Sequence, residues 1–200
     1  MVRSARWLGL SLFLFAMGVD AQVDHLRAGV RVGAFDMTNA GDSYDAVYGD
    51  PMLVGGLELA AVFDRNWFLQ LTVSGGEMEG EQVVLLPEPL PTGYDTTFRM
   101  TPVHLTGGRS FGSGRWRFAT GLGPSYVSWE EEGEFETTSD ENVGGHLLLG
   151  LSRTYADWLI GGELVYSIVP DAIGKGGASG QLGEEDMGGV ALMFRASRAF

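Results

Sequence analysis

The sequence contains no cysteine, a single lysine and no apolar run long enough to cross a bilayer as a helix. Without cysteine there is no disulfide framework, so stability must come from other interactions. A membrane-spanning helix needs roughly 20 apolar residues, and no stretch approaches that length. Basic residues number 13 against 26 acidic ones, for a formal net charge of −13. This balance argues against nucleic acid as a partner.

Glycine, in contrast, is abundant, with 31 residues among 200. That share is about twice the usual one. The glycines follow no collagen period and form no long low-complexity tract. Placed among aromatic and β-branched residues, they are typical of closely packed strands joined by many turns. The composition therefore favours an all-β domain.

The N-terminus has the pattern of a secretory signal peptide. MVRSARW contains two arginines and no acid, the apolar run LGLSLFLFAMGV follows, and Val19 and Ala21 then form a small-x-small pair. The run is too short for a membrane anchor. We expect a signal peptide over residues 1–21 and one mature domain over residues 22–200.

Eight segments alternate apolar with small or polar residues at a period of two, which predicts strands. Most are ten residues or longer, whereas soluble strands average about 5–6 and tilted membrane strands need roughly 9–11. Strand length therefore favours a membrane barrel. The predicted strands are 25–36, 52–63, 67–75, 96–111, 115–129, 143–155, 157–169 and 188–200.

The connections between these strands alternate in length. Short turns lie at 64–66, 112–114 and 155–157, and long loops are expected at 37–51, 76–95, 130–142 and 170–185. Short turns at one end and long loops at the other are typical of outer-membrane barrels. We therefore predict an all-β, eight-stranded antiparallel transmembrane β-barrel. The main alternative is a soluble lipocalin-like barrel, but its outward registers would have to be polar.

The last predicted strand places Val190, Leu192, Phe194 and Phe200 on one apolar register. In this pattern of strands and turns the chain resembles the small eight-stranded outer-membrane barrels of the OmpA/OmpX/OmpW type. In that family a final strand ending in Phe is the signal for the outer-membrane barrel-assembly machinery, and the resemblance implies this role for these four residues. Arg198 departs from the apolar register, although a long side chain at the membrane edge can snorkel.

Charged residues occupy the registers opposite the apolar ones. A charge that faced lipid would cost about 2–4 kcal/mol, so we expect these side chains to point inward. We expect them to form a lumen network around Glu58 and Glu163. One interpretation is a polar core with a structural role, which we favour. The alternative is a narrow pore for small solutes, gated by these ion pairs. The predicted network consists of Arg27, Arg31, Glu58, Arg99, Arg117, His146, Glu163 and Arg195.

Three of the long loops have unusual compositions. The acidic stretch 129–142 does not match an EF-hand, so we predict no metal or cofactor site there. We expect its carboxylates to lie on solvated loop faces, where divalent ions could bridge them to lipopolysaccharide. The segment VVLLPEPLP (83–91) should be stiff and extended. It could fold over the barrel mouth as a plug, which we favour, or offer an apolar contact to a partner. Lys175 lies in a glycine-rich loop, 174–180, that we expect to be mobile.

No catalytic motif stands out. His104-Leu105-Thr106 is loosely similar to the His-x-Ser of outer-membrane lipid A deacylases, but Thr replaces Ser and no acid can be assigned. A Gly-x-Ser-x-Gly elbow and a phosphate loop are both missing. We therefore expect no enzyme, with a lipid A or phospholipid hydrolase as the third alternative. The expected role is structural, or surface interaction through long extracellular loops, as a monomer among outer-membrane lipids and lipopolysaccharide.

Overall fold

The computed structural model describes residues 22–49, 51–86, 88–174, 179 and 182–200. The predicted signal peptide and Lys175 lie outside the described residues. Eight antiparallel strands form a closed ring in chain order, and β8 pairs with β1, which confirms the predicted barrel. The strands are β1 (Val23–Asp36), β2 (Met52–Phe63), β3 (Trp67–Leu86), β4 (Glu88–Phe111), β5 (Trp116–Gly133), β6 (Thr137–Tyr155), β7 (Trp158–Val169) and β8 (Met187–Ala199).

The outer face of the barrel is a belt of apolar side chains. In β2, Leu53, Leu57 and Leu59 are 71%, 64% and 60% exposed, whereas Val54 and Glu58 between them are buried. The same alternation runs through the other strands, with leucine, valine and aromatic side chains pointing outward. A belt of this kind is suited to hydrocarbon, and the closed ring leaves no strand edge unpaired in it.

The predicted loops 76–95 and 130–142 are largely strand, which corrects the sequence-based boundaries. β3 continues to Leu86 and β4 already begins at Glu88. Likewise, β5 continues to Gly133 and β6 begins at Thr137. Beyond the apolar belt these strands carry mainly polar residues, except at the apolar tip 83–91 of the β3–β4 hairpin. Opposite charges placed across the ladder stabilise the extension.

The segment 83–91 forms the tip of the hairpin made by β3 and β4. Val83 pairs with Pro91, and Val84 pairs with Leu90, so the segment is extended as predicted. Val84 and Leu90 are exposed, however. The favoured interpretation as a plug is wrong, because the two halves of the segment pair with each other instead of folding over the barrel mouth.

The first long loop occupies the mouth instead. It contains a 3-10 turn over Thr38–Ala40 and a helix, α1, over Gly41–Val47. The carboxylate of Glu184 accepts hydrogen bonds from the backbone amides of Asp42 (3.2 Å) and Ser43 (3.1 Å), at the start of α1. In the described part of the chain, no helix is long and apolar enough to cross a bilayer.

Gly80 in β3 allows this loop to pack against the barrel wall. A Cβ atom at Gly80 would lie 2.6 Å from Cδ1 of Tyr48 and 2.5 Å from the backbone oxygen of Val47. We predict that Gly80→Val displaces the loop and destabilises its packing by about 1–3 kcal/mol. Limited proteolysis within 37–49 should become faster. The control is Gly75→Val on the same strand, where a Cβ has only ordinary contacts, at 3.8 Å and beyond. Equal proteolysis of both variants would contradict this role of Gly80.

Candidate functional site

The interior of the barrel is filled by side chains, with separate cavities along its length. A cavity of about 660 Å³ opens at the long-loop end, and we call it the vestibule. A void of about 30 Å³ lies further inside. A third cavity of about 190 Å³ lies at the short-turn end. The middle void has room for about one water molecule.

A buried ion-pair cluster joins β1, β2, β7 and β8. Glu163 accepts a hydrogen bond from Nη1 of Arg195, and its Oε2 lies 3.3 Å from Nη2 of Arg31. Nη1 of Arg195 also lies 3.7 Å from Oε2 of Glu58. None of these four side chains is more than 6% exposed. The structure therefore brings Arg31, Glu58, Glu163 and Arg195 together, as the sequence predicted.

Two further arginines of the predicted network lie nearer the short-turn end. Arg27 lines the cavity there, and its Nε has no hydrogen-bond partner within the part of the chain described. Nη1 of Arg117 donates a hydrogen bond to Oδ1 of Asn66 at 3.2 Å. Both arginines line the cavity at the short-turn end, and neither forms an ion pair with Glu58 or Glu163.

Arg99 lies outside the lumen, and the prediction that it joins the network is wrong. It is exposed on the outer register of β4, because the inward positions beside it belong to Phe98 and Met100. There its guanidinium binds three carboxylates that lie on the neighbouring strands, so its charge is balanced. The partners are Glu77 at 2.6 Å, Glu130 at 3.2 Å and Glu132 at 3.0 Å.

His146 belongs to a separate chain of buried hydrogen bonds. Oγ of Ser125 lies 2.8 Å from Nδ1 of His104 and 3.0 Å from Nδ1 of His146. Nε2 of His146 lies 2.7 Å from Oγ1 of Thr106. Among the described residues neither imidazole contacts a carboxylate, and Thr106 is fully buried. The arrangement is a buried hydrogen-bond chain of two imidazoles and two hydroxyl groups inside the lumen.

The inner end of the vestibule is an apolar layer that sequence reasoning missed. Inward side chains near the long loops pack with Ala40 and Tyr44 from the first loop. The sequence does contain a signal for this layer. Inward positions are apolar near the long loops, whereas inward positions deeper in the barrel carry charged side chains. The inward members of this layer include Phe35, Met52, Val54, Phe98, Met100, Val127, Trp129, Val169, Met187 and Met193.

Four aromatic rings form a row along the vestibule. The ring centroids of Tyr44 and Tyr48 are 5.3 Å apart, those of Tyr48 and Phe98 are 5.9 Å apart, and those of Phe98 and Trp129 are 6.1 Å apart. Trp129 is 7% exposed, and its indole Nε1 has no hydrogen-bond partner among the described residues. A buried N–H group without a partner is costly, so this donor suits a ligand with an acceptor atom.

Carboxylates line the wall of the vestibule. Oε1 of Glu131 accepts a hydrogen bond of 2.7 Å from the Tyr48 hydroxyl. Burial, together with the nearby negative charge of Glu131, raises the pKa of the Tyr48 phenol well above its usual value. Tyr48 therefore remains a neutral donor across physiological pH. Glu136 and Asp140 lie along the same cavity.

Comparisons with known proteins agree with the fold. No family model matches the chain, and no curated protein matches it in sequence. Neisserial surface protein A is similar in structure, with a TM-score of 0.57, 8% identity, and coverage of 90% of this chain and 99% of the other. The N-terminal β-barrel domain of OprF from Pseudomonas aeruginosa has a TM-score of 0.55 and 10% identity, covering 90% and 100%.

Ail, the attachment invasion locus protein of Yersinia pestis, is similar too, in a structure with the heparin analogue sucrose octasulfate. Its TM-score is 0.53 at 15% identity, with coverage of 88% of this chain and 97% of Ail. At identities of 8–15%, these similarities show a shared fold and nothing about function. With its closed ring of eight antiparallel strands and outward apolar belt, the chain has the fold of the small eight-stranded outer-membrane β-barrels.

Proposed function

We propose that the chain is an outer-membrane barrel of a Gram-negative-type bacterium whose lumen is closed and whose function is binding at its extracellular end. One observation supports this most directly: buried side chains separate the two end cavities, and the larger cavity opens at the long-loop end. In outer-membrane barrels the long loops face outward and the short turns face the periplasm. Long hairpins, acidic along most of their length, then surround a concave site at the cell surface.

Other parts of the chain are consistent with this proposal. Residues 1–21 would act as a signal peptide and residues 22–200 as the mature domain. Phe194 and Phe200 are 55% and 73% exposed, so with Val190 and Leu192 they would present the final-strand signal to the assembly machinery. The barrel would work as a monomer in contact with outer-membrane lipids and lipopolysaccharide. The proposal includes no catalytic step.

A narrow pore is the second candidate, because charged side chains cross the lumen. The small central void and the mutual pairing of Arg31, Glu163 and Arg195 favour a closed barrel instead. We predict that the refolded mature chain is electrically silent in a planar bilayer, provided that insertion is verified by flotation with lipid. Discrete conductance steps that change in Glu58→Ala would overturn the closed-lumen proposal and establish a gated pore.

A further inference from the structure

We infer that the vestibule binds small organic cations that combine an aromatic body, an ammonium group and a hydrogen-bond acceptor. The inference rests on the proposed binding function at the extracellular end and specifies the ligand class. Three features lead to it: the sign of the charge around the cavity, the aromatic row that lines it, and the unpartnered indole donor at its inner end.

The charge distribution along the barrel is strongly asymmetric. Within the residues that the structure describes, Arg99 is the one basic side chain beyond the apolar belt at the long-loop end, and three carboxylates already bind it. The surrounding acidic side chains leave a large negative excess, which concentrates cations at the opening and repels anions. The described carboxylates at this end include Glu77, Glu79, Glu81, Asp95, Glu130, Glu131, Glu132, Glu134, Glu136, Asp140, Glu141, Glu184, Glu185 and Asp186.

Inside the cavity, Glu131 is the carboxylate best placed for an ammonium group. It lies on the inward register of β5, two positions beyond Trp129, and Tyr48 holds it through Oε1. Its other oxygen, Oε2, has no hydrogen bond among the described residues and is left for a ligand. An ammonium group bound there would lie beside aromatic faces, where cation–π attraction adds to the ion pair.

The aromatic row and the cavity volume define the rest of the ligand. About 660 Å³ is within the range of small-molecule sites, and four aromatic rings provide a surface on which a flat ring can pack. Nε1 of Trp129 is buried at the inner end and lacks an acceptor. A ligand oxygen at the end opposite the ammonium group would reach this donor once the side chains that cover it shift, and the bond would orient the molecule with its charge outward.

The test uses ligands that share a phenol ring and differ in charge. Tyramine is cationic, tyrosol is neutral and 4-hydroxyphenylacetate is anionic. Each is titrated by ligand-observed NMR into nanodiscs of zwitterionic phospholipid that contain the mature chain, with empty nanodiscs as the background. We expect tyramine to bind at least 5-fold more tightly than tyrosol, and 4-hydroxyphenylacetate not to bind. Equal affinities for all three would overturn the inference.

Two variants locate the interactions. Glu131→Gln should reduce the affinity for tyramine to that for tyrosol. Glu79→Gln removes the same charge from an exposed outward position of β3, outside the cavity, and should lower the affinity far less because many other carboxylates remain. Where Glu131→Gln fails to fold, Glu136→Gln on the same cavity takes its place. Trp129→Phe should abolish the advantage of tyramine over phenethylamine, which lacks the phenol oxygen. Unchanged ligand preferences in these variants would contradict the assigned site.

The two levels of the proposal can fail separately. A silent bilayer combined with no preference for tyramine would reject the cation class while leaving a closed surface-binding barrel. Conductance steps in the unmodified chain would reject the closed lumen whatever the titrations show.

Discussion

Glu163→Gln is expected to lower the free energy of unfolding of the barrel by about 3–5 kcal/mol. Arg31 and Arg195 lie directly opposite each other where β1 meets β8, and Glu163 contacts both guanidinium groups. Removing its charge leaves two buried cations facing each other, with Glu58 as the remaining acid, 3.7 Å from Arg195. A buried charge that loses its partner costs more than the intact pair contributes, since its desolvation is no longer offset.

Urea unfolding of the protein refolded in phospholipid vesicles measures this effect, followed by the gel-mobility difference between folded and unfolded barrel. The double variant Arg31→Gln/Glu163→Gln should recover part of the loss, because Arg195 and Glu58 then remain as a balanced pair. Glu79→Gln provides the exposed control and should change stability by less than about 0.5 kcal/mol. A double variant as unstable as the sum of its two single variants would show that Arg31 and Glu163 do not interact.

Leu57→Arg is expected to destabilise the barrel by about 2–4 kcal/mol when it is folded in a bilayer. Leu57 lies in the middle of β2, points outward and is 64% exposed. On a soluble protein such a site would tolerate arginine. At the centre of a membrane belt, the guanidinium must either enter hydrocarbon or distort the bilayer to reach water.

Phe135→Arg is the matched control, because Phe135 is 73% exposed but lies in the turn between β5 and β6, beyond the belt. Its effect on membrane-embedded stability should be small, apart from the lost contact with Tyr94, whose ring centroid is 4.9 Å away. Equal tolerance of arginine at both positions would mean that the apolar belt does not face lipid. The comparison therefore tests the membrane assignment independently of the lumen.

The parts that could be predicted are those set by local alternation. The period of two assigned an outward or inward face to each position of β2, and the tight turns at 64–66 and 112–114 set the hairpins. Strand ends were harder to predict, because outside the bilayer the alternation of apolar and polar residues stops while pairing continues. Glu77, Arg99 and Glu130 illustrate this, since they stabilise the extension across strands and show no pattern along one strand.

The candidate site depends on contacts that no sequence period records. The helix α1 lies in the long-loop opening of the barrel because Ala40 and Tyr44 pack against the apolar layer there. It also needs Gly80, which leaves room for the Tyr48 ring. The alternation of β5 predicts that Trp129 points inward. That it lines a cavity depends on the first long loop, which packs inside the opening. Sequence reasoning therefore located the acidic loops but could not see the cavity they surround.

The sequence by itself determined the strand number, the hairpin order and which side chains of the apolar belt point outward, because alternation and turn residues act between near neighbours. Only the tertiary structure decided which charges meet. Closing the ring places Arg31 opposite Arg195, 164 positions later in the chain, and brings Glu163 of β7 between them. Arg99 stays out of that cluster because it lies on the outward register of β4, and His146 pairs with Ser125 and Thr106 instead. Register across the closing strands sets these distances, and register is a property of the whole ring rather than of any one segment.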